Sequence, residues 1–421
     1  MSIALVVGSM IGSGIFSIPT ALAPYGGIGL LGWLVAAVWA IFLAKMMSYL
    51  AKHIPATGGP YAFSRAGFGD LVGFFVAWGY WLSIWTTNAA ITITFVSYLS
   101  VFIPALSSST LLSTMASLLT LWSLTLINSY SVRGGGKMQL VSTLLKIIPI
   151  LVVVTGAIFF FNPDHFTPFN PSGSTNLQAI SVTSTLCLFA FLGLEAATIP
   201  AGNVKNPKKT IPRATIIGTG LVIFIYIFSS LALFGLLPPE QVANSTAPYS
   251  DAAMYLWGDW AKYLVAAGAC ISAFGALNGW ILIQGQMPLA LAQDQLLPKA
   301  FAKTNQNEAP YFSIIASSVI ITILLLANQT KGLTSLYSFM LQLTAVTVLF
   351  SYIFSAAAYG RFALRKQFNL NPSPKHLILA LIGVLFSIWL LIGSGNEAIL
   401  WGAVGMIAGL PIYLWKKNTP I

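Results

Sequence analysis

Residues 8–16 read Gly-Ser-Met-Ile-Gly-Ser-Gly-Ile-Phe, with Pro19 shortly after. Each glycine weakens a helix by about 1 kcal/mol relative to alanine, and this run has three in seven residues. Residues 189–198 read Phe-Ala-Phe-Leu-Gly-Leu-Glu-Ala-Ala-Thr, and Glu195 is the one carboxylate deep inside an apolar run. A half-helix that starts after a break presents unpaired N–H groups and a positive dipole end, which suit a carboxylate. A half-helix that stops before a break presents carbonyls, which suit an ammonium. Two such breaks side by side could hold an α-amino acid by its two common groups. Competing readings are close helix packing through small residues and, for Glu195, a structural carboxyl bonded between helices. A third group is Lys146, within Thr143-Leu144-Leu145-Lys146-Ile147-Ile148-Pro149. By itself it reads as a cation that snorkels to an interface on its long stem.

The elements that position these groups follow from composition. Only 7% of the 421 residues are charged and 57% are hydrophobic, with a mean hydropathy of +0.83. Soluble domains carry about 25% charged residues. A membrane-spanning helix takes ~20 apolar residues, so with loops this length allows about 12 spans. Apolar runs predict helices over 2–22, 28–51, 69–104, 110–130, 137–161, 178–201, 213–237, 259–285, 310–328, 333–360, 375–394 and 397–415. A soluble enzyme, a nucleic-acid binder and a disordered tail are excluded. An outer-membrane barrel is excluded too, because its strands alternate apolar and polar residues.

The net charge of +11 comes from 20 Lys and Arg against 9 Asp and Glu. One set of loops holds Lys52, Arg65, Arg133, Lys137, Lys205 and Arg213, among others, and the alternate set holds only Lys331. That bias predicts cytoplasmic N- and C-termini. Met1 lies seven residues before Gly8. The half-helix between them covers roughly 10 Å, against about 15 Å for half a bilayer core. It is therefore thinly anchored, or the natural chain begins upstream; no cleavable signal peptide is legible. Cys187 and Cys270 read as small buried hydrophobes. His53, His165 and His376 have no metal spacing, and Gly27-Ile28-Gly29-Leu30-Leu31-Gly32 follows no strand, so no dinucleotide site is expected.

The breaks fall in spans one and six, matching positions of two five-span halves. Paired glycine-interrupted helices at matching positions point to a transporter site. Four segments carry a family resemblance: Gly8 to Phe16; Pro55-Ala56-Thr57-Gly58-Gly59-Pro60-Tyr61-Ala62-Phe63; Phe191 to Glu195 with Val204-Lys205-Asn206-Pro207-Lys208-Lys209; and Asn278-Gly279-Trp280 with Ala292-Gln293-Asp294. They resemble the amino acid–polyamine–organocation (APC) transporter superfamily, and within it the bacterial basic amino acid/polyamine antiporter branch. The resemblance implies an all-α integral membrane protein with the LeuT-like fold and discontinuous helices 1 and 6. Residues 1–161 would form the first five-helix repeat, 178–360 the second, inverted one, and 375–415 two additional helices.

The same resemblance implies site residues. Amides near Ser13 and Gly14 would bind the substrate carboxylate, and carbonyls of Met10, Phe189 and Leu192 the amino group. Phe189 stands where the arginine exchanger stacks a tryptophan, and Trp280 matches its second stacking tryptophan. Asn88 matches a side-chain contact, with Ser83 and Ile84 at neighbouring pocket positions. Glu195 matches a carboxylate with a proton-sensing role. Two features depart from the arginine exchanger: Phe189 is a weaker cation–π surface than tryptophan, and Leu343 stands near a polar position. Lys146 departs from the branch and resembles a lysine of sodium-independent members, where an ammonium takes the place of a sodium ion.

The expected activity is amino acid antiport of the cationic amino acid or polyamine type, by alternating access in the cell inner membrane. The alternative is proton-coupled, sodium-independent symport of neutral amino acids. No catalysis, cofactor, metal or nucleic-acid partner is expected. The partners are the substrate and the bilayer, with a homodimer allowed for.

Overall fold

The computed structural model describes residues 2–54, 58–131, 135–194, 206–367 and 373–418, and for 2–5, 135–146, 207–208 and 417–418 the backbone alone. Glu195 lies outside the described residues. Lys146 lies on a described helix, but its side chain is outside the description.

The described chain is all-helical. The first span is divided, as α1 Ser2–Met10 and α2 Gly14–Leu22, with residues 11–13 between them. Then follow α3 Ile28–His53, the short α4 Pro60–Phe68 and the long α5 Asp70–Leu99. Gly69, with φ of 87°, ends α4 and opens α5, a turn that a β-carbon would strain. The expected third span to residue 104 stops at Leu99, and the next four-residue helix, α6 Ala105–Ser108, leads into α7 Thr110–Tyr130. Ser109 caps α7 by accepting from the Leu112 amide.

α8 Gly135–Phe160 precedes α9 Asn176–Leu188, which opens on a capping box of Thr175 and Gln178. A 3₁₀ turn, Phe189–Phe191, ends that segment. α10 Pro207–Leu236 is followed by two short helices, α11 Pro239–Asn244 and α12 Pro248–Trp257. The remaining helices are α13 Asp259–Gln293, α14 Tyr311–Ala327, α15 Leu333–Leu364, α16 Pro374–Ile392, α17 Asn396–Ile407 and α18 Gly409–Asn418. The last expected span is thus interrupted at Ala408.

Among the described residues eight helical stretches, with α17 and α18 counted as one, are long and apolar enough to cross a membrane, and three shorter apolar helices accompany them. α5 sits at the centre, packed against α13 and α15, and nearly all of it is buried. α16, α17 and α18 lie at the periphery, with few of their residues buried and about half of their large apolar side chains exposed, as lipid-facing surfaces require. Small residues set the closest approaches: a β-carbon at Gly32 of α3 would come within 2.5 Å of Thr183 Oγ1 on α9.

Candidate functional site

The two breaks meet at the centre of the bundle. Gly193, φ 97°, follows the 3₁₀ turn, and a β-carbon there would lie 3.0 Å from Ser9 Oγ and 3.2 Å from the Ser9 carbonyl carbon. Only glycine accommodates both that dihedral and that contact. Ser9 Oγ reaches Gly193 O at 3.2 Å, tying the end of α1 to the second break. A β-carbon on Gly14 would sit 3.3 Å from the Ala190 Cα, so the start of α2 also lies against the 3₁₀ turn.

A cavity opens between these segments. Its first wall is Ser9, Met10, Gly12, Ser13 and Gly14; Phe189 and Leu192 supply the second. Thr87 and Ile91 of α5 and Trp280 of α13 close it. Its free space is ≈ 10 Å³, room for about one water, so a bound amino acid requires these elements to move apart.

Six of the sequence-predicted residues therefore converge: Met10, Ser13, Gly14, Phe189, Leu192 and Trp280. Ser83 and Asn88 are buried nearby but do not line this cavity. Ser83 Oγ donates to Tyr80 O on its own helix at 2.6 Å. Asn88 Nδ2 donates to Gln284 Oε1 at 2.6 Å, and Gln284 Nε2 continues to Ser318 Oγ at 2.9 Å. Sequence reasoning missed Thr87 and Ile91. Their signal was helical spacing: 83, 87 and 91 share one stripe of α5, four residues apart.

The site holds unspent polarity. Thr87 Oγ1 on its wall is buried without a hydrogen-bond partner, as is Oδ1 of the adjacent Asn88, while the Ser13 and Tyr337 hydroxyls face one another. Buried polar atoms of this kind cost stability unless a ligand or water pairs them. The first amides of α2 point the same way, since a helix cannot pair its own leading N–H groups.

Aromatic side chains brace the breaks, and none of the bracing was read from sequence. Tyr226 on α10 donates to the Met10 carbonyl at 2.6 Å, occupying one of that oxygen's two lone pairs. Tyr98 on α5 donates to Phe16 O at 2.9 Å. Trp33, Phe191 and Tyr226 form a cluster with ring centroids 5.2–6.0 Å apart, joining α3, the second break and α10. Phe189 meets Tyr337 edge-on at 6.3 Å.

At one end of the bundle, two of the sequence motifs come together. Tyr61 of α4 donates to Asp294 at the end of α13 (2.5 Å), and Arg65 Nη1 reaches the same carboxylate oxygen at 2.7 Å. Arg65 Nε also bonds Asp70 at 2.7 Å. Burial first, then the bond to Asp294, push the Tyr61 hydroxyl above its ordinary pKa, so it remains a donor. Asn278, in the same motif as Asp294, accepts from Asn128 Nδ2 at 2.8 Å, pinning α7 to α13. Among the described residues no group of His, Cys, Asp or Glu is placed to hold a metal ion.

Residues 1–408 match the amino acid permease family. The cadaverine/lysine antiporter of Escherichia coli (strain K12) is 31% identical over 93% of this chain and 88% of its own length. An arginine/ornithine antiporter of Pseudomonas aeruginosa is 28% identical, covering 99% of this chain and 89% of that protein. The putrescine transporter PotE of Haemophilus influenzae is 30% identical over 97% of this chain and 94% of its own. A match over nearly the whole length, with both helix breaks and the motifs that meet around them, places the chain: it belongs to the amino acid permease family of membrane transporters, and it is not an enzyme.

Proposed function

We propose that this chain exchanges amino acids, or an amino acid for its decarboxylated amine, across the cell inner membrane. The observation that carries the reading is the convergence of two broken helices, Phe189 and Trp280 on one central cavity. Amides of α2 bind the carboxylate, and the carbonyls of Met10, Phe189 and Leu192 receive the ammonium. Phe189 and Trp280 cover the side chain. The near-absence of free space fits a state closed around the site, and alternating access opens it to each side in turn.

Twelve spans fit the architecture: eight long helices, three shorter apolar ones and the divided α1–α2. Residues 1–161 and 178–360 are then the inverted five-helix repeats, and 375–415 two added helices, with both termini cytoplasmic. Glu195 tunes the response to pH, and Lys146 supplies the cation that sodium supplies elsewhere. Support for basic substrates comes from the relatives, whose names specify cadaverine, lysine, arginine, ornithine and putrescine.

One observation favours the second reading, proton-coupled and sodium-independent symport of neutral amino acids. The described cavity lining carries hydroxyls, glycines and apolar side chains but no carboxylate to meet a cationic side chain. Proteoliposome uptake decides between them. Labelled basic amino acids, diamines and neutral amino acids are offered while internal amino acid and pH gradient are varied independently. Exchange requires internal amino acid for uptake; uptake into empty vesicles driven by the pH gradient alone establishes symport instead.

A further inference from the structure

A second cavity, of ≈ 560 Å³, lies between α5, α14, α15 and α17, separate from the central site. That volume falls in the range of small-molecule sites. It opens sideways, past the half-exposed side chains of Ile323, Trp401 and Val404, in the part of the bundle that faces lipid. Its depth follows from α17: Glu397 and Gly405 both line it, eight residues apart. At ~1.5 Å per residue that is about 12 Å, most of one leaflet's ~15 Å of hydrocarbon.

Polarity is confined to one end. The deep wall consists of Leu82, Leu343 and Trp85, with Thr86 and Thr347 between them. Both hydroxyls are spent within the protein: Thr86 Oγ1 donates to Ser83 O at 3.0 Å, and Thr347 Oγ1 to Leu343 O at 3.1 Å. The indole N–H of Trp85 is the exception, buried without an acceptor. At the mouth stand Asn328 and Glu397. Lys331 Nζ lies 2.9 Å from Glu397 Oε1 and 4.1 Å above the ring of Phe339, itself a wall residue. One cation and one anion, both partly exposed, thus frame an apolar slot that runs down one leaflet.

We propose that this slot binds one acyl chain of a membrane phospholipid with a zwitterionic, amine-bearing headgroup, its phosphate at Lys331 and its ammonium at Glu397. An apolar tail loses nothing against walls whose hydroxyls are already paired. A headgroup with both charges replaces the Lys331–Glu397 pair with two pairs, and a primary ammonium also donates N–H bonds to Glu397, which a quaternary choline cannot; a purely anionic head would face Glu397. The wall is shared with the transport site: Thr86 faces this slot, and the next residue, Thr87, lines the central cavity.

Trp85 provides the readout, because it lines the slot and is only 7% exposed, out of reach of lipids outside. The full chain is placed in phosphatidylcholine nanodiscs doped with phosphatidylethanolamine brominated on its acyl chains. The Trp85 contribution is the difference in fluorescence quenching from Trp85→Phe. It should quench and saturate at low mole fraction. Ala327→Phe, which fills the slot from an exposed position, should abolish that quenching. The double variant Lys331→Gln with Glu397→Gln should shift half-saturation at least threefold upward. Native mass spectrometry of the unaltered chain, independent of any variant, should show one retained phosphatidylethanolamine, lost with Ala327→Phe. An unquenched Trp85, quenching unchanged by Ala327→Phe, or equal quenching by brominated phosphatidylcholine overturns the proposal. So does quenching that disappears as the chain dimerises, which would make a second copy the occupant.

Discussion

The Asn88 amide donates to Gln284 Oε1 at 2.6 Å, joining α5 to α13 across the core, and its own oxygen is left buried and unpaired. The central cavity is therefore met by Thr87, one residue earlier, rather than by Asn88. Gln284→Leu strands the Asn88 donor, while the Ser318 hydroxyl keeps Thr125 Oγ1 at 2.7 Å. Its expected cost is about 1–3 kcal/mol, the penalty for an unsatisfied buried group, read as a lower midpoint in thermal unfolding of the solubilised protein. In substrate binding, Thr87→Ala should weaken affinity more than Ser83→Ala, whose hydroxyl is spent on its own helix. The reverse order would return the site to the Ser83 side of the stripe.

Gly14 both lines the central cavity and packs against the 3₁₀ turn. A β-carbon there already meets Ala190 at 3.3 Å, and a longer side chain must push the 3₁₀ turn away from α2. Gly14→Leu is expected to abolish binding in a folded protein. Gly220 on α10 has nothing within 4 Å of an added β-carbon, so Gly220→Leu serves as the control and should bind normally. Equal affinity for both variants, measured by equilibrium binding of a labelled substrate, would remove Gly14 from the site.

Trp280 is 6% exposed on the cavity wall, and Trp260 on the same helix is 64% exposed to the surroundings. Loss of an aromatic surface over the substrate should cost about tenfold in affinity, or ~1.4 kcal/mol, for Trp280→Ala. Trp260→Ala should leave affinity unchanged. Similar losses for both would mean that Trp280 acts through packing alone.

The contact of Tyr61 and Arg65 with Asp294 holds α4 against the end of α13. Ion pairs this exposed contribute at most about 1 kcal/mol, so Asp294→Asn should scarcely move the unfolding midpoint. Its effect should appear locally, as faster tryptic cleavage at Arg65 in the folded protein. Cleavage at the original rate would show that α4 is held by its packing on α5 and α15.

Glu195 and Lys146 make different predictions about coupling. Glu195→Gln should flatten the pH dependence while exchange continues. Lys146→Ala should stop transport or trap one face, because the half-helix carbonyls lose their counter-charge. Sodium-dependent uptake by the unaltered chain, or normal transport by Lys146→Ala at all pH values, would leave Lys146 as an interfacial anchor.

Apolar run length and break position were legible because both are local. Helix α7 spans 110–130 as its hydropathy indicates, since Ser109 and Ser131 leave the helical conformation on either side. The first break falls within its run of glycines, because a helix pays for each one wherever it packs, and the second falls beside the single Gly193. The span expected over 259–285 continues in the structure as α13 to Gln293 with Pro288 inside it; one missing backbone bond is tolerated where neighbours enclose the helix. The choice between Thr87 and Asn88, the Tyr226 bond to Met10 and the junction of Tyr61 with Asp294 were decided only by the tertiary structure. Each depends on the rotation of one helix against another far away in the chain. In an interior this apolar, a few polar atoms fix that rotation by finding one another, and the one-dimensional pattern does not say which pairs will form.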